Sequence, residues 1–423
     1  MADLEIRVER ATDPERYLNS DHTIWFDEVS DEPLDVQLRG VPADQRFVVE
    51  LPGADVDPGT YPAIYGVRPM QLSVPDGHGA GRMLPVAGLT WVGVHPDHRR
   101  RGLLTAMLRH HFAQTRAEGV HVSALHASEP AIYGRHGYGL ASIEYSTELG
   151  RGTTFTAPHL EDDVAALQTR MLDVTGADIA ARRRRCDLAV APDCVGTVVG
   201  DDEFYDELGH VSAADRRGNE IPRVIFATRA GEDVGYVVFR RSHKWSHARP
   251  SAEIDVRQLS GGPAARLALL RRVVDLDLAG TIKMWGTSQD DPLLSWVDGP
   301  RATGALEPYD SLWVRLVDLP EALAARGYDD GCDIVVDVTD VAAPWNAGRW
   351  RIRVKDGTAD VTRTDDDAEV VLPVSALGAA YLGGGNLVAM QRAGVLEERR
   401  PGAVTELWRA LRTDLPPYAA RGF

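Results

Sequence analysis

Three consecutive arginines, Arg99-Arg100-Arg101, stand between an apolar run ending at Val94 and the residues Gly102-Leu103-Leu104-Thr105. Read as strand, basic turn and helix, this order builds an anion site. A helix N-terminus carries unpaired backbone N–H groups and the positive end of the helix dipole, which together hold phosphate. The guanidinium groups add charge-assisted donors, and Gly102 lets the backbone approach a pyrophosphate closely. Gly93, inside the strand, points to a bulge or to close approach of a ligand. The stretch is neither a Rossmann glycine motif nor a Walker loop. On these residues alone, a phosphate loop and an arginine-rich surface turn are equally good readings.

Other groupings carry less chemistry. His110 and His111 are adjacent on a helix and cannot serve one metal from one face. His126-Ala127-Ser128-Glu129 is not a zinc-binding His-Glu-x-x-His motif. Asp365-Asp366-Asp367 reads as a loop charge cluster, and no metal is expected. Cys186, Cys194 and Cys332 form an odd, sparse set without metal spacing; they read as buried or incidental thiols and point to the cytosol. The run Arg182–Arg185 reads as a solvated helix face paired with acids. Asp27, Glu28, Asp31, Glu32 and Asp35 would share one face of a helix, either to attract a cationic substrate or simply as a solvated acidic face. Trp25, Phe26 and Trp91 are either walls of such a site or core.

The elements that must position these residues follow from apolar periodicity. Alternation over 3–9 predicts a strand, and Asp13-Pro14 opens a helix over 13–26. Residues 62–75 and 82–94 predict a hairpin across the glycine-rich segment Pro75–Gly81. Leu104, Met107, Leu108 and Phe112 give the apolar stripe of a helix over 99–118, stopped by Gly119. A strand at 120–125 completes a strand–helix–strand unit, and 138–149 closes it. Residues 161–190 read as helical. Strands at 222–229, 234–240 and 251–259, helix 263–278 and strand 281–285 repeat the same order, a possible degenerate internal repeat. From 306 on, a strand at 312–316, helix 320–326, strands at 332–338, 349–355 and 358–364 and closing helices read as α+β.

Length and charge agree with this division. A chain of 423 residues suggests about three domains. Its 46 Lys+Arg and 63 Asp+Glu leave a formal charge of −17, which disfavours nucleic acid and anionic membranes as partners and suits a cationic small molecule. Hydrophobic content of 44% and charged content of 26% are those of a soluble globular protein. No apolar run approaches the roughly 20 residues that span a bilayer, and the N-terminus lacks a signal core.

The strand–turn–helix layout resembles that of the GNAT acetyltransferases, whose acetyl-CoA motif is Arg/Gln-x-x-Gly-x-Gly/Ala. Here it reads Arg99-Arg100-Arg101-Gly102-Leu103-Leu104, with Leu in the last place. His126-Ala127-Ser128-Glu129-Pro130-Ala131-Ile132-Tyr133-Gly134-Arg135-His136-Gly137-Tyr138-Gly139 is similar to the corresponding stretch of the Eis (enhanced intracellular survival) acetyltransferases of actinobacteria, in which Arg-Arg-Arg-Gly-Leu-Leu is usual. The resemblance covers essentially the whole chain. It implies a mixed α+β and α/β fold: two tandem GNAT-like domains, 1–155 and 156–305, the second without an arginine cluster before its glycines at 261–262, and a sterol-carrier-protein-like α+β domain, 306–423. It also implies a cytoplasmic homohexamer.

By this resemblance Val92, Gly93 and Val94 line the pantetheine and acetyl end of acetyl-CoA. Arg99, Arg100, Arg101, Gly102, Leu103, Leu104 and Thr105 hold its pyrophosphate, and Ser128 and Glu129 border it. Tyr133 is the general acid; Tyr138 has a similar Tyr-Gly context, and the resemblance selects Tyr133. The terminal α-carboxylate, here that of Phe423, is the base. With a pKa of about 3.5 it is ionised at pH 7 and weak, so it calls for a bridging water. Asp27, Glu28 and Trp91 are the acceptor-site candidates. The expected activity is acetyl transfer to a cationic amine of aminoglycoside or polyamine type, or to lysine side chains. The alternative is a CoA- or lipid-binding carrier or sensor without catalysis.

Overall fold

The apolar runs on either side of Pro75–Gly81 form one long hairpin. The computed structural model describes residues 5–28, 30–212, 220–242, 244–247, 249–297, 299–303, 307–419 and 421–423. In it, β1 (Arg7–Arg10), β2 (Arg46–Glu50), β3 (Ala63–Pro75) and β4 (Gly81–Val94) are consecutive antiparallel neighbours, and β5 (Val122–His126) lies parallel to β4. Leu4, placed in the first strand by alternation, lies outside the described residues.

Three helices flank the strands in the sequence. Asp13 caps α1 (Pro14–Trp25), accepting the Arg16 N–H, with Pro14 at the first helical position. The acidic residues beyond it do not share a helix face. Phe26 takes a left-handed conformation (φ 61°) and its N–H closes on His22 O, which ends α1. Of the five acids only Asp35 falls in the short α2 (Leu34–Gln37). Glu32 is spent on an ion pair with His210 at 2.8 Å. The crossover helix α3 (Leu103–Ala117) buries Leu103, Met107, Leu108 and Phe112 against the sheet. His110 and His111 on it hydrogen-bond separately, to the Tyr65 hydroxyl at 2.6 Å and the Ser123 hydroxyl at 2.8 Å.

The sheets exchange strands. Of the segment expected to close the first unit, only β6 (Gly139–Leu140) belongs to it. β7 (Ile143–Gly150) joins a second sheet, between Glu307–Asp310 and Ala279–Thr287. In return Leu312–Leu316, read from sequence as the start of the last domain, inserts into the first sheet between β5 and β6. Alternation reports which face a strand buries, not which neighbour it pairs with. The crossings lie side by side: Ala141 and Ser142 donate to Leu312 O at 2.9 and 3.2 Å, and Ser311 N donates to Ser142 O at 3.1 Å. The Glu144 carboxylate beside them accepts from the Ser311 hydroxyl at 2.8 Å and from Ala419 N at 2.9 Å. Position 305, the expected boundary, lies outside the described residues.

The second sheet continues through Ala252–Gly261, Glu232–Arg241, Arg223–Arg229 and Gln168–Asp173. Its parallel pair, Ala252–Gly261 with Ala279–Thr287, is joined by helix Pro263–Val274, the same arrangement as β4–α3–β5. The expected helix over 161–190 is instead helix Glu161–Ala165, edge strand Gln168–Asp173 and helix Ile179–Val190. Pairing with Arg223–Arg229 overrides the local preference of the middle segment. Nor are all four arginines of the basic run solvated: Arg183 is 1% exposed, donating to Gln258 Oε1 at 3.0 Å.

The last domain is a five-stranded sheet centred on Cys332–Thr339, packed by helices Val374–Ala380 and Ala403–Leu411. A fully buried ion pair at 2.5 Å, Arg315–Asp340, ties it to the strand inserted in the first sheet. Asp365, Asp366 and Asp367 sit in a loop; Asp366 pairs with Arg351 at 3.1 Å. The three cysteines are free, and burial pushes the Cys186 and Cys332 thiols up to about 12. Among the described residues no helix is long and apolar enough to cross a membrane.

Candidate active site

β4 and β5 pair at Ala87↔Ser123 and Gly88↔Ala124, and no pair follows. Beyond Gly88 the strands part, which leaves the Leu89–Val94 edge of β4 without a neighbouring strand. On its other edge β4 is bulged: Thr90 pairs with Gly66 and Gly93 with Ile64, so Trp91 and Val92 together face Tyr65. Trp91 adopts φ 51°, a conformation bulky residues rarely take, and its ring stacks on Tyr17 with centroids 5.9 Å apart. The bulge thus precedes Gly93. A Cβ on Gly93 would lie 2.6 Å from Ile24 Cγ2, so this glycine serves the close packing of α1 on β4.

The basic turn presents backbone donors and cationic side chains together. Arg100 and Gly102 are both left-handed (φ 61° and 86°), and Gly102 caps α3 without a side-chain acceptor. The first amide to close within the helix is that of Ala106, on Gly102 O at 3.0 Å. The N–H groups of Leu103, Leu104 and Thr105 therefore converge unpaired on a concave nest, while the Leu103 side chain is buried in the core. Arg99, Arg100 and Arg101 are exposed, and among the described residues none has an acidic partner. Arg101 reaches His98 Nδ1 at 3.3 Å; burial and then Arg101 hold the His98 imidazole below its ordinary range, so it stays neutral there. In a chain with 63 acidic residues, three arginines at a helix N-terminus with no acidic partner among the described residues are suited to a polyanion from outside. The equivalent helix in the second sheet offers no such site. Pro263 removes an N–H from its first turn, and the part-buried Arg266 is held by the buried Asp291 at 2.5 Å.

Replacing Gly102 by Ala puts a side chain at φ 86°, which costs about 1–2 kcal/mol. No atom lies within 4 Å of the added Cβ, so the expected effect is backbone strain alone. To the extent that the free turn relaxes out of this conformation and binding must restore it, the affinity for acetyl-CoA, read by calorimetry, is expected to fall by up to about tenfold. An unchanged Kd would remove this turn from the cofactor site.

The open edge of β4 leads to a cavity of about 230 Å³ lined by Asp21, Trp25, Leu89, Thr90, Trp91, Val92, His126, Ser128, Tyr133 and Phe423. Tyr133 ends the short α4 (Pro130–Tyr133) and is 7% exposed. Burial, and secondarily Glu129, push its phenol up to about 12. The structure separates the two tyrosines that the sequence left alike. Tyr138 is fully buried with its hydroxyl 2.8 Å from Ser123 Oγ, and Tyr133 stands edge-on to it, facing the cavity. The Phe423 ring packs edge-on against His126, centroids 5.1 Å apart.

Two lining residues escaped the sequence. Burial holds His126 down to about 4, so its imidazole is neutral near pH 7, and its Nε2 has no hydrogen-bond partner among the described residues. Asp21, one turn before Trp25 on α1, is pushed up to about 6 by burial and then by the charge of Asp27. A single Asp on an amphipathic helix carries no spacing signal, and His126 was read as part of a failed metal motif and of the 126–139 resemblance, with no role of its own. Of the residues expected at the acceptor site, Trp91 lines the cavity. Asp27 and Glu28 are exposed and do not. Ser128 lines it, whereas Glu129 is exposed at the start of α4.

Comparison with known proteins gives three family models in chain order: an acetyltransferase (GNAT) domain at 62–141, a second acetyltransferase (GNAT) domain at 196–316 and a sterol carrier protein domain at 319–420. An uncharacterized N-acetyltransferase of Streptomyces avermitilis is 36% identical over 364 residues, 85% of this chain and 86% of that protein. The N-acetyltransferase Eis of Mycobacterium tuberculosis is 29% identical over 389 residues, 90% of each. The crystal structure of Eis1 from Mycobacterium abscessus superposes with a TM-score of 0.81 at 27% identity, covering 99% of this chain and 100% of that one.

Proposed function

Because the chain belongs to the Eis-like N-acetyltransferases of the GNAT family, we propose that it transfers acetyl from acetyl-CoA directly to an amino group of a cationic small molecule of the aminoglycoside or polyamine kind. The observation that carries this reading is the meeting of Tyr133 and Phe423 in one cavity at the open edge of β4.

In this reading Arg99–Arg101 and the amides of Gly102–Thr105 hold the pyrophosphate. Val92–Val94 pair with the pantetheine arm as an added strand would, and one of their N–H groups polarises the thioester carbonyl. The Phe423 carboxylate, through a water, takes a proton from the acceptor ammonium. The freed nitrogen forms the C–N bond as the C–S bond breaks and then sheds its second proton to solvent, while the Tyr133 hydroxyl gives its proton to the departing sulfur. The tyrosinate is then reprotonated from solvent.

A phenol near 12 is protonated at every physiological pH, so the acid is always loaded. An ordinary thiol near 8.5 would be a poor match for it. A thiolate released beside Tyr133 sheds part of its solvation in the cavity, however, and desolvation raises its affinity for the proton.

Asp21 supplies the attraction for the cation. Its carboxyl, raised to about 6, is neutral below that pH and anionic above it. The KM for a polyamine acceptor is expected to fall as pH rises through 6, and Asp21→Asn is expected to abolish this limb while leaving the KM for acetyl-CoA unchanged. A limb that persists in Asp21→Asn assigns the attraction to another group. The reading as a whole is tested by thiol release from acetyl-CoA with an aminoglycoside, a polyamine and a lysine peptide side by side. Release that no amine accelerates would overturn it.

A further inference from the structure

The end of the chain closes the sterol-carrier segment in sequence but is held by the second sheet and by helix Ile179–Val190 that packs on it. Tyr418 N donates to Val195 O at 2.8 Å and Ala419 N to Glu144 Oε1 at 2.9 Å. Arg421 is buried, and its guanidinium forms an ion pair with the equally buried Asp187 of helix Ile179–Val190. It also donates to the Tyr236 hydroxyl at 2.9 Å and lies over the Tyr205 ring, 5.0 Å from its centroid. The Tyr205 and Tyr236 hydroxyls both donate to the same Asp187 oxygen, at 2.5 and 2.9 Å.

Burying such a pair is expensive. Well-packed apolar residues of similar volume often stabilise as well or better, so stability alone is a weak account of it. What the pair adds is a fixed point. A chain terminus frays unless it is tied down, and two residues of chain span at most about 7 Å. An anchor at Arg421 therefore confines the Phe423 α-carboxylate to a small region beside the cavity. A base has to stand within hydrogen-bond reach of its proton or one water away, and a misplacement of about 1 Å costs roughly 100-fold in rate.

We propose that Arg421 and Asp187 are a positioning pair through which the second GNAT domain, which lacks a phosphate loop of its own, sets the place of the Phe423 carboxylate in the acceptor cavity. This rests on the reading of that carboxylate as the base.

The test is a cycle between Arg421→Met and a chain extended by one glycine after Phe423, with kcat for a polyamine and acetyl-CoA affinity measured in each. Arg421→Met is expected to lower kcat about 30- to 100-fold and to leave acetyl-CoA affinity within about twofold, with Arg421→Lys recovering part of the rate. In the extended chain the carboxylate is already displaced, so Arg421→Met is expected to reduce kcat no further. A kcat unchanged by Arg421→Met, or losses that multiply in the double variant, would overturn the positioning role. Should Arg421→Met fail to fold, as an absence of acetyl-CoA binding would reveal, Asp187→Asn is put through the same cycle with the same deciding outcomes. If the extension alone leaves kcat unchanged, it is the assignment of the base that fails.

Discussion

Tyr133→Phe is expected to lower kcat by about 100- to 1,000-fold, in the range that a positioned general acid contributes, while acetyl-CoA binds as before. The side chain owes its packing to its ring, which stands edge-on to Tyr138, and its hydroxyl hydrogen-bonds to no other described residue. Removing the oxygen therefore costs little stability, about 0.5 kcal/mol or less. Tyr138→Phe is the matched control. It breaks the buried bond to Ser123 and is expected to destabilise by about 1–2 kcal/mol, with kcat nearly intact. Stopped-flow thiol release and thermal melting of the two variants separate chemistry from packing. If both lose the same fraction of rate, Tyr133 is not the acid.

One glycine added after Phe423 is the second change with a large expected effect. It moves the terminal carboxylate by up to about 3.5 Å and puts a neutral peptide group where the anion stood. A kcat loss of about 100-fold or more is expected, again with acetyl-CoA affinity preserved, because the phosphate turn at Arg99–Thr105 lies on a different element. Phe423→Leu makes the complementary point. It keeps the carboxylate and an apolar side chain packed on the core while removing the edge-on ring contact with His126, so it should retain most of the rate. An extended chain that turns over like the parent would transfer the base to another group. His126, neutral near pH 7 with an unpartnered Nε2, is then the first to examine.

What the sequence made legible is what local pattern encodes. The stripe Leu104, Met107, Leu108 and Phe112 announced α3, and the alternation around Pro75–Gly81 announced the β3–β4 hairpin. Strand partners were not legible. Ile143–Gly150 and Leu312–Leu316 each read as strands, and nothing in their residues says that they trade sheets, or that Glu144 and Arg315 are buried there. The acidic segment failed for a different reason: its i, i+4 spacing was real, but Phe26 turns left-handed and ends the helix before the spacing can act. Arg183 and Arg421 are the reverse case. Charged residues are seldom fully buried, and only the three-dimensional arrangement of Gln258, Asp187 and the tyrosines around them makes these positions tolerable. The catalytic candidates were readable because resemblance supplied them. Asp21 was not, because a lone carboxylate acquires its meaning from the cavity it faces.

The strand exchange also bears on how the protein is made. β6 leaves the ribosome early, yet the strand that sits between it and β5 is Leu312–Leu316. At about 5–20 residues per second that strand follows roughly 10–35 s later. During this interval β5 presents an open edge of backbone donors and acceptors, a template for unwanted pairing. The second sheet waits in the same way for Glu307–Asp310 beside β7. Both sheets therefore close within a few residues of one another on the nascent chain, and the catalytic half, though synthesised first, is completed no earlier than its partner.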